Sequence, residues 1–172
     1  MKVRITKIHK LELPKIHFYS VRLENRSQSE FKEFSVRMKL KAKDLQEFQL
    51  LINFLVNIGT LYGGLHKYFK EEKLAERVNQ PLNHIDFDDE NRDINDYGLR
   101  LYCTKITDKV VILFSGARKT VKGNAEQCEN CRPYFEMANK LAHAIENAFI
   151  KGQLFIENEF TIQSEEEFEL NI

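Results

Sequence analysis

The sequence has no long apolar segment, few cysteines and no excess of charge of either sign. None of its apolar runs approaches the ~20 residues that cross a bilayer, and residues 1–7 lack the apolar core of a signal peptide. Three cysteines are an odd number in a mid-sized chain, which fits a reducing cytoplasm better than a disulfide scaffold. We therefore expect a cytoplasmic protein with no membrane partner.

The charges are balanced in number but unevenly distributed. The 26 basic and 26 acidic residues cancel, yet residues 1–50 hold 12 lysines and arginines against 6 acidic residues. Residues 101–122 hold 5 against 1, whereas residues 123–172 hold 3 against 10. Because the local field governs the binding of anions, a net charge of zero argues only weakly against a nucleic-acid ligand.

The hydrophobic pattern predicts a single α+β domain, since no repeat, low-complexity stretch or linker interrupts the 172 residues. Strands are indicated by alternating apolar residues and helices by apolar residues at every third or fourth position. The predicted elements are strands at 3–8, 17–24 and 34–41, helices at 44–58 and 65–78, two strands within 97–120, a helix at 133–152 and a strand at 154–162. We expect a mostly antiparallel sheet with the helices packed on one face.

The segment 97–120 carries the strongest functional signal. In its first strand the polar residues alternate with apolar ones, so that Arg100 and Tyr102 are expected on one face. The second strand, 109–115, is rich in Val, Ile, Leu and Phe, as is typical of the centre of a sheet. Basic residues follow at once, namely Arg118, Lys119 and Lys122. A hairpin that brings these groups to one surface predicts a phosphate or RNA site.

Three motifs in this segment carry a family resemblance: Tyr97-Gly-Leu-Arg-Leu-Tyr102, Val110-Val-Ile-Leu-Phe114 and Gly116-Ala-Arg-Lys119. Together with a preceding strand, a helical pair and a later helix, they resemble the RelE/ParE superfamily of toxin components. Members are small α+β proteins encoded beside an antitoxin. The resemblance extends over roughly residues 17–150 in element order and over about 97–122 in residue pattern.

The resemblance implies a prokaryotic toxin-like protein that binds RNA or the ribosome and that has a cognate antitoxin as a second partner. RelE-like members cleave mRNA, so the chain is expected to act as an endoribonuclease of this kind. The cleavage is attack of a 2′-OH on the adjacent phosphate, and it requires no metal or other cofactor because the nucleophile belongs to the substrate. Arg100 and Arg118 would stabilise the phosphorane, and Tyr102 or Lys119 would transfer protons. The lysines expected along the RNA path are Lys39, Lys41, Lys43 and Lys122.

Departures from the family pattern divide the chain and leave two alternatives open. Residues 1–16 form an N-terminal extension with a predicted strand, 17–152 form the RelE/ParE-like domain, and 153–172 form an acidic tail with a predicted edge strand. An acidic segment, 84–96, precedes the hairpin as a loop or an irregular strand and offers carboxylates for Arg100. One alternative is a non-catalytic module of the same fold that acts on gyrase or another protein. The other is a structural or regulatory protein whose acidic tail covers its own basic face.

The pair Cys128 and Cys131 has the spacing of both metal and redox motifs. Zinc requires four ligands, and Cys103, His84 and His143 lie at no recognised spacing from the pair. A redox dithiol normally belongs to a thioredoxin-like βαβ unit, which the sequence does not predict. We therefore expect ordinary cysteines beside the start of a helix and no metal site.

Overall fold

A computed structural model describes residues 1–80, 97–164 and 168–169, so the predicted acidic loop at 84–96 lies outside the described residues. The helices are α1 (Glu30–Met38), α2 (Ala42–Asn57) and α3 (Arg132–Ile150), with short helical turns at Ile58–Tyr62, His66–Tyr68 and Ala125–Gln127. The strands are β1 (Lys2–Glu12), β2 (His17–Leu23), β3 (Phe69–Glu72), β4 (Ala75–Val78), β5 (Leu99–Thr107), β6 (Val110–Arg118), β7 (Leu154–Glu157), β8 (Thr161–Ser164) and β9 (Phe168–Glu169).

Seven strands form one mixed sheet in the order β3-β4-β5-β6-β2-β1-β9. Only the central pair of β2 and β6 is parallel, and the other neighbouring strands in this sheet are antiparallel. Strands β7 and β8 form a separate antiparallel hairpin. The prediction of an α+β fold with a mostly antiparallel sheet is therefore confirmed.

The helices cover both faces of the sheet, so the prediction that they pack on one face is wrong. Val111 and Leu113 of β6 pack with α1 and α2, whereas Val110, Ile112 and Phe114 pack with α3 on the opposite face. A strand that is apolar at successive positions presents apolar side chains on two sides and needs cover on both. The composition of β6 thus requires three layers, helices–sheet–helix.

The strand predicted at 34–41 is wrong, because residues Glu30–Met38 form α1. Ser29 caps this helix by accepting a hydrogen bond from the Lys32 amide at 3.3 Å. Phe31, Phe34 and Met38 then lie on one buried stripe at helical spacing. The alternation of apolar and polar residues is coincidental, since Phe34 and Met38 lie on the buried helical stripe whereas Val36 and Leu40 are exposed.

The helix predicted at 65–78 is also wrong. After a single helical turn, this segment forms the hairpin of β3 and β4, which turns at Lys73 with a φ of 67°. Strand β4 pairs with β5 and places Arg77 opposite Tyr102. Its Glu, Lys, Leu and Ala residues favour a helix, but the segment instead pairs with β5 and completes that edge of the sheet, so tertiary pairing overrides local propensity.

The two ends of the chain also join the fold. Strand β1 pairs with β2 along most of its length, and β9 pairs with β1 at Lys2 and Val3. The strand predicted at 154–162 is instead the hairpin of β7 and β8, anchored by the buried Leu154 and by a 2.9 Å hydrogen bond from the Tyr19 hydroxyl to the Phe160 carbonyl. Among the described residues, no helix is long and apolar enough to cross a membrane.

Candidate anion-binding site

A β-bulge in β6 determines which basic residues share a face of the sheet. Leu101 pairs with Gly116 and Cys103 pairs with Leu113, so two steps along β5 match three steps along β6. The extra residue reverses the alternation beyond it. Phe114 and Ala117 consequently both pack on the α3 side, and the residue after Ala117 turns to the α2 side.

Arg118 is that residue, and it is bound by two carboxylates of α2. Its Nε lies 2.8 Å from Asp44 Oδ1 and its Nη1 lies 2.9 Å from Glu47 Oε1. The second oxygen of Glu47 accepts a hydrogen bond from the Leu99 amide at 3.1 Å. The three side chains are 17%, 14% and 5% exposed for Arg118, Asp44 and Glu47. Arg118 therefore holds α2 to the sheet, on the face opposite Arg100.

Arg100 is half-buried on the α3 face and has no carboxylate of the described residues within ion-pairing distance. Its hydrogen bond there is to the Leu99 carbonyl, at 3.4 Å. Burial lowers the pKa of the Arg100 guanidinium from its usual value, and the nearby positive charge of Arg77 lowers it further. A cation that is taken out of water without a counter-ion is costly, and no described carboxylate supplies one to Arg100 at ion-pairing distance.

Two further cations complete what we call the cationic cluster, consisting of Arg77, Arg100 and Lys119. Arg77 forms an ion pair of 2.9 Å with Glu72 and is 13% exposed. Burial lowers the pKa of Lys119, and the charges of Arg100 and Arg77 also lower it. Among the described residues, Glu72 is the carboxylate that acts on all three cations, so the described part of the cluster carries an excess of positive charge.

Tyr102 faces the same layer but cannot reach a substrate, because it is fully buried. Its ring packs edge-on against Phe135 with centroids 6.0 Å apart. Burial raises the pKa of the Tyr102 hydroxyl far above its usual value, and the neighbouring Cys131 adds to this effect. The structure therefore places Tyr102 in the core beneath the cluster, rather than on its surface as the alternating pattern predicts.

The lysines expected along an RNA path lie in two places. Lys39 ends α1, Lys41 precedes α2 and Lys43 lies in the first turn of α2, all three exposed on the side of the sheet that carries Arg118. Lys122 is exposed in the irregular segment that follows Lys119. Of the eight predicted residues, the structure thus groups Arg100 with Lys119. The others lie in the core, on the opposite side of the sheet, or in the irregular segment after Lys119.

Sequence reasoning misses two arginines beside the hairpin. The sequence predicts a helix around Arg77, and nothing in its context signals a strand next to Arg100. Arg37 of α1 donates hydrogen bonds of 2.8 Å to Ser115 Oγ and to the Gly116 carbonyl, and its guanidinium lies 4.2 Å from the centroid of the Tyr134 ring. It therefore ties α1 to the bulged end of β6 and to α3.

The described residues contain no group of three His, Cys, Asp or Glu side chains arranged to hold a metal. Cys103 packs on the α2 face, opposite Cys128 and Cys131. His143 is exposed on α3 and pairs with Asn147 at 3.1 Å. The remaining candidate, His84, lies outside the described residues. Among the described residues, Cys128 and Cys131 therefore lack the further ligands that a zinc site requires.

Comparisons with family models, with curated proteins and with solved structures gave no match to this chain. The assignment of a function therefore rests on the chemistry of the site and on the sequence resemblance.

Proposed function

We propose that this chain is a RelE/ParE-like toxin-fold protein that binds RNA, with the cationic cluster as the contact for a backbone phosphate. One observation carries the proposal: Arg100 and Lys119 are partly desolvated beside Arg77, while the described carboxylates nearby are fewer than the cations. Phosphate oxygens are the natural counter-ions for such a group, since arginine binds them with two parallel hydrogen bonds.

The element order supports the family part of the proposal. A strand (β2), a helical pair (α1 and α2), a hairpin (β5 and β6) and a later helix (α3) follow one another as in the resemblance. The helical pair is not the one that the sequence predicts, because α1 replaces the helix expected at 65–78. A cognate antitoxin and the ribosome are the partners that this proposal implies.

Binding is tested with the double variant Arg100→Gln/Lys119→Gln and a single-stranded RNA oligonucleotide. Each lost phosphate contact removes a charge-assisted hydrogen bond of about 1.5 kcal/mol or more, so we expect affinity to fall by about 100-fold. The slope of log affinity against log salt should fall by about 0.7 for each contact. Fluorescence anisotropy at several salt concentrations measures both quantities.

The matched control is Lys140→Gln/Lys151→Gln, which removes the same charge from two exposed positions, one on α3 and one just after its last residue. Position 151 lies about 28 Å along the helix from its start, since each residue adds about 1.5 Å. Equal affinities for the two double variants would rule out the cluster as the RNA contact. Growth arrest on expression without RNA binding would favour the alternative of a protein target such as gyrase.

A second candidate function, endoribonuclease activity, is favoured by the lowered pKa of Lys119. A lysine whose pKa is lowered by burial and neighbouring cations is a better proton donor and acceptor near neutral pH than a solvated lysine. Tyr102 and Arg118, the other expected catalytic groups, are buried and ion-paired respectively, which leaves Arg100 and Lys119 to act on the phosphate.

The nuclease candidate predicts that Lys119→Arg keeps RNA binding but loses cleavage. Arginine preserves the positive charge, whereas its guanidinium does not release a proton in this range. We expect a fall in cleavage rate of about 100-fold or more with affinity changed less than about threefold. Mapping of new RNA 5′ ends measures cleavage, and fluorescence anisotropy measures affinity for RNA. Cleavage at the wild-type rate in this variant would remove Lys119 from proton transfer.

A further inference from the structure

The geometry around Cys128 and Cys131 differs from that of ordinary core cysteines. Both thiols are free and buried, and their residues form a hydrogen-bonded turn. The amide of Cys131 donates to the Cys128 carbonyl at 3.0 Å, and the amide of Arg132 donates to the same oxygen at 2.8 Å. Such a turn holds its first and fourth Cα atoms less than ~7 Å apart, which falls within the range that a disulfide spans.

The turn leads directly into α3, with Cys131 at the position that caps the 19-residue helix. Thr120 Oγ lies 3.7 Å from Cys128 Sγ, and a hydrogen bond with Cys131 also favours the thiolate of Cys128. The charge of Arg100 lowers the pKa of Cys131, but burial outweighs it, so that this thiol stays protonated. These are the surroundings of a reactive cysteine pair rather than those of a packed apolar thiol.

The two thiols are also unequal. Burial raises the pKa of Cys128, but hydrogen bonds from Thr120 and Cys131 outweigh it and lower the pKa to about 7. Burial raises the pKa of Cys131 to about 12, and the hydrogen bond and charge of Cys128 act in the same direction. One thiol is thus prepared to attack and the other to remain protonated until it resolves the intermediate.

We propose that Cys128 and Cys131 form a reversible redox dithiol that exchanges with small disulfides such as glutathione disulfide. The Cys128 thiolate attacks one sulfur of the disulfide, whose S–S bond breaks and releases one glutathione thiolate. Cys131 then gives up its proton to solvent and attacks the Cys128 sulfur, which releases the second glutathione thiolate. The two protein thiols lose two electrons, and the glutathione disulfide gains them.

Both cysteines are buried, and the chain just before them, at Lys122, Gly123 and Asn124, is exposed and irregular. Exchange therefore requires a local opening of the structure, and we expect it to be slower than exchange of a free cysteine in a peptide. The inference is independent of RNA binding.

The test incubates the reduced full chain in glutathione buffers, quenches with acid and alkylates the remaining thiols after unfolding. Peptide mass mapping should show that Cys128 and Cys131 lose alkylation together in oxidised buffer and regain it in dithiothreitol. Cys103 is the internal control, because burial raises its pKa well above the usual value and it lies on the other face of the sheet. It should remain alkylated throughout.

Single variants identify the attacking sulfur. In Cys131→Ser a mixed disulfide of Cys128 with glutathione should accumulate, while in Cys128→Ser adduct formation on Cys131 should be at least about 10-fold slower. Cys103→Ser should behave as the wild type. If a variant does not fold, the alkylation pattern of the wild-type protein is sufficient to test the proposal. Full alkylation of the pair in wild-type protein held in oxidised buffer overturns the proposal, as does disulfide formation that involves Cys103.

Discussion

Replacing Arg118 with alanine is expected to lower the free energy of unfolding by about 3–5 kcal/mol. The substitution leaves Asp44 and Glu47 as neighbouring carboxylates with little access to water, at 14% and 5% exposure. Two like charges in a partly buried site repel each other, and neither regains its full hydration. Urea denaturation followed by circular dichroism measures the change as a shift in midpoint at constant slope.

Arg26→Ala is the matched control for Arg118→Ala. Arg26 also forms an ion pair, with Glu33 at 3.0 Å, but the two side chains are 53% and 30% exposed. An exposed pair of this kind contributes about 1 kcal/mol or less. Equal losses for the two variants would mean that the Arg118 network contributes no more than a surface ion pair.

This expectation changes how loss of function at Arg118 should be interpreted. If Arg118→Ala abolishes growth arrest, loss of the folded state is sufficient to explain the result. A functional role for Arg118 would require loss of RNA binding in a variant that unfolds at the wild-type urea concentration. The cluster variant Arg100→Gln/Lys119→Gln is the better test of function, since neither residue pairs with a carboxylate among the described side chains.

Gly116→Ala is expected to destabilise the protein by about 3 kcal/mol and to weaken RNA binding as well. A Cβ at this position would lie 1.7 Å from the Arg100 carbonyl oxygen. The obstructing atom belongs to the backbone, so β5 and β6 must separate at the bulge rather than repack a side chain. That movement displaces both Arg100 and the carbonyl of Gly116, which accepts the hydrogen bond from Arg37.

Gly63→Ala supplies the matched control for Gly116→Ala. Gly63 has a φ of 79°, and among the described residues no atom lies within 4 Å of the position that a Cβ would take. With a ψ of 178° this glycine lies in a backbone region essentially restricted to glycine, so its substitution costs conformational strain of about 1–3 kcal/mol without a steric clash. Urea denaturation of both variants compares a steric cause with a conformational one. A Gly116→Ala protein as stable as the wild type would show that the bulge accommodates the methyl group.

The strands of the hairpin were predictable because their signal is local. The apolar run of β6 and the alternation in β5 reflect which side chains a central sheet can bury, and the structure has strands at Leu99–Thr107 and Val110–Arg118. The helical period of Phe135, Leu141 and Ile145 likewise predicts α3, where all three are buried. Such patterns depend on the period of a single element.

The elements that differ from the prediction lack such a signal. By its apolar positions alone, segment 34–41 fits a strand better than a helix, but the cap at Ser29 and the burial of Phe34 and Met38 favour α1. Segment 65–78 has helical propensity, yet β4 completes the ladder beside β5. A local cap in the first case and strand pairing in the second thus override the pattern within the segment.

Local patterns specify the central hairpin, the helix α3 and the presence of basic residues around them. Which of those basic residues act together depends on how the strands pair in the folded chain. One extra residue in β6 turns Arg118 away from Arg100, and the pairing of β4 with β5 brings Arg77 into the cluster beside Arg100. The physical reason is that a bulge reverses side-chain alternation without changing the composition of a strand, so it leaves no trace in a period-two pattern.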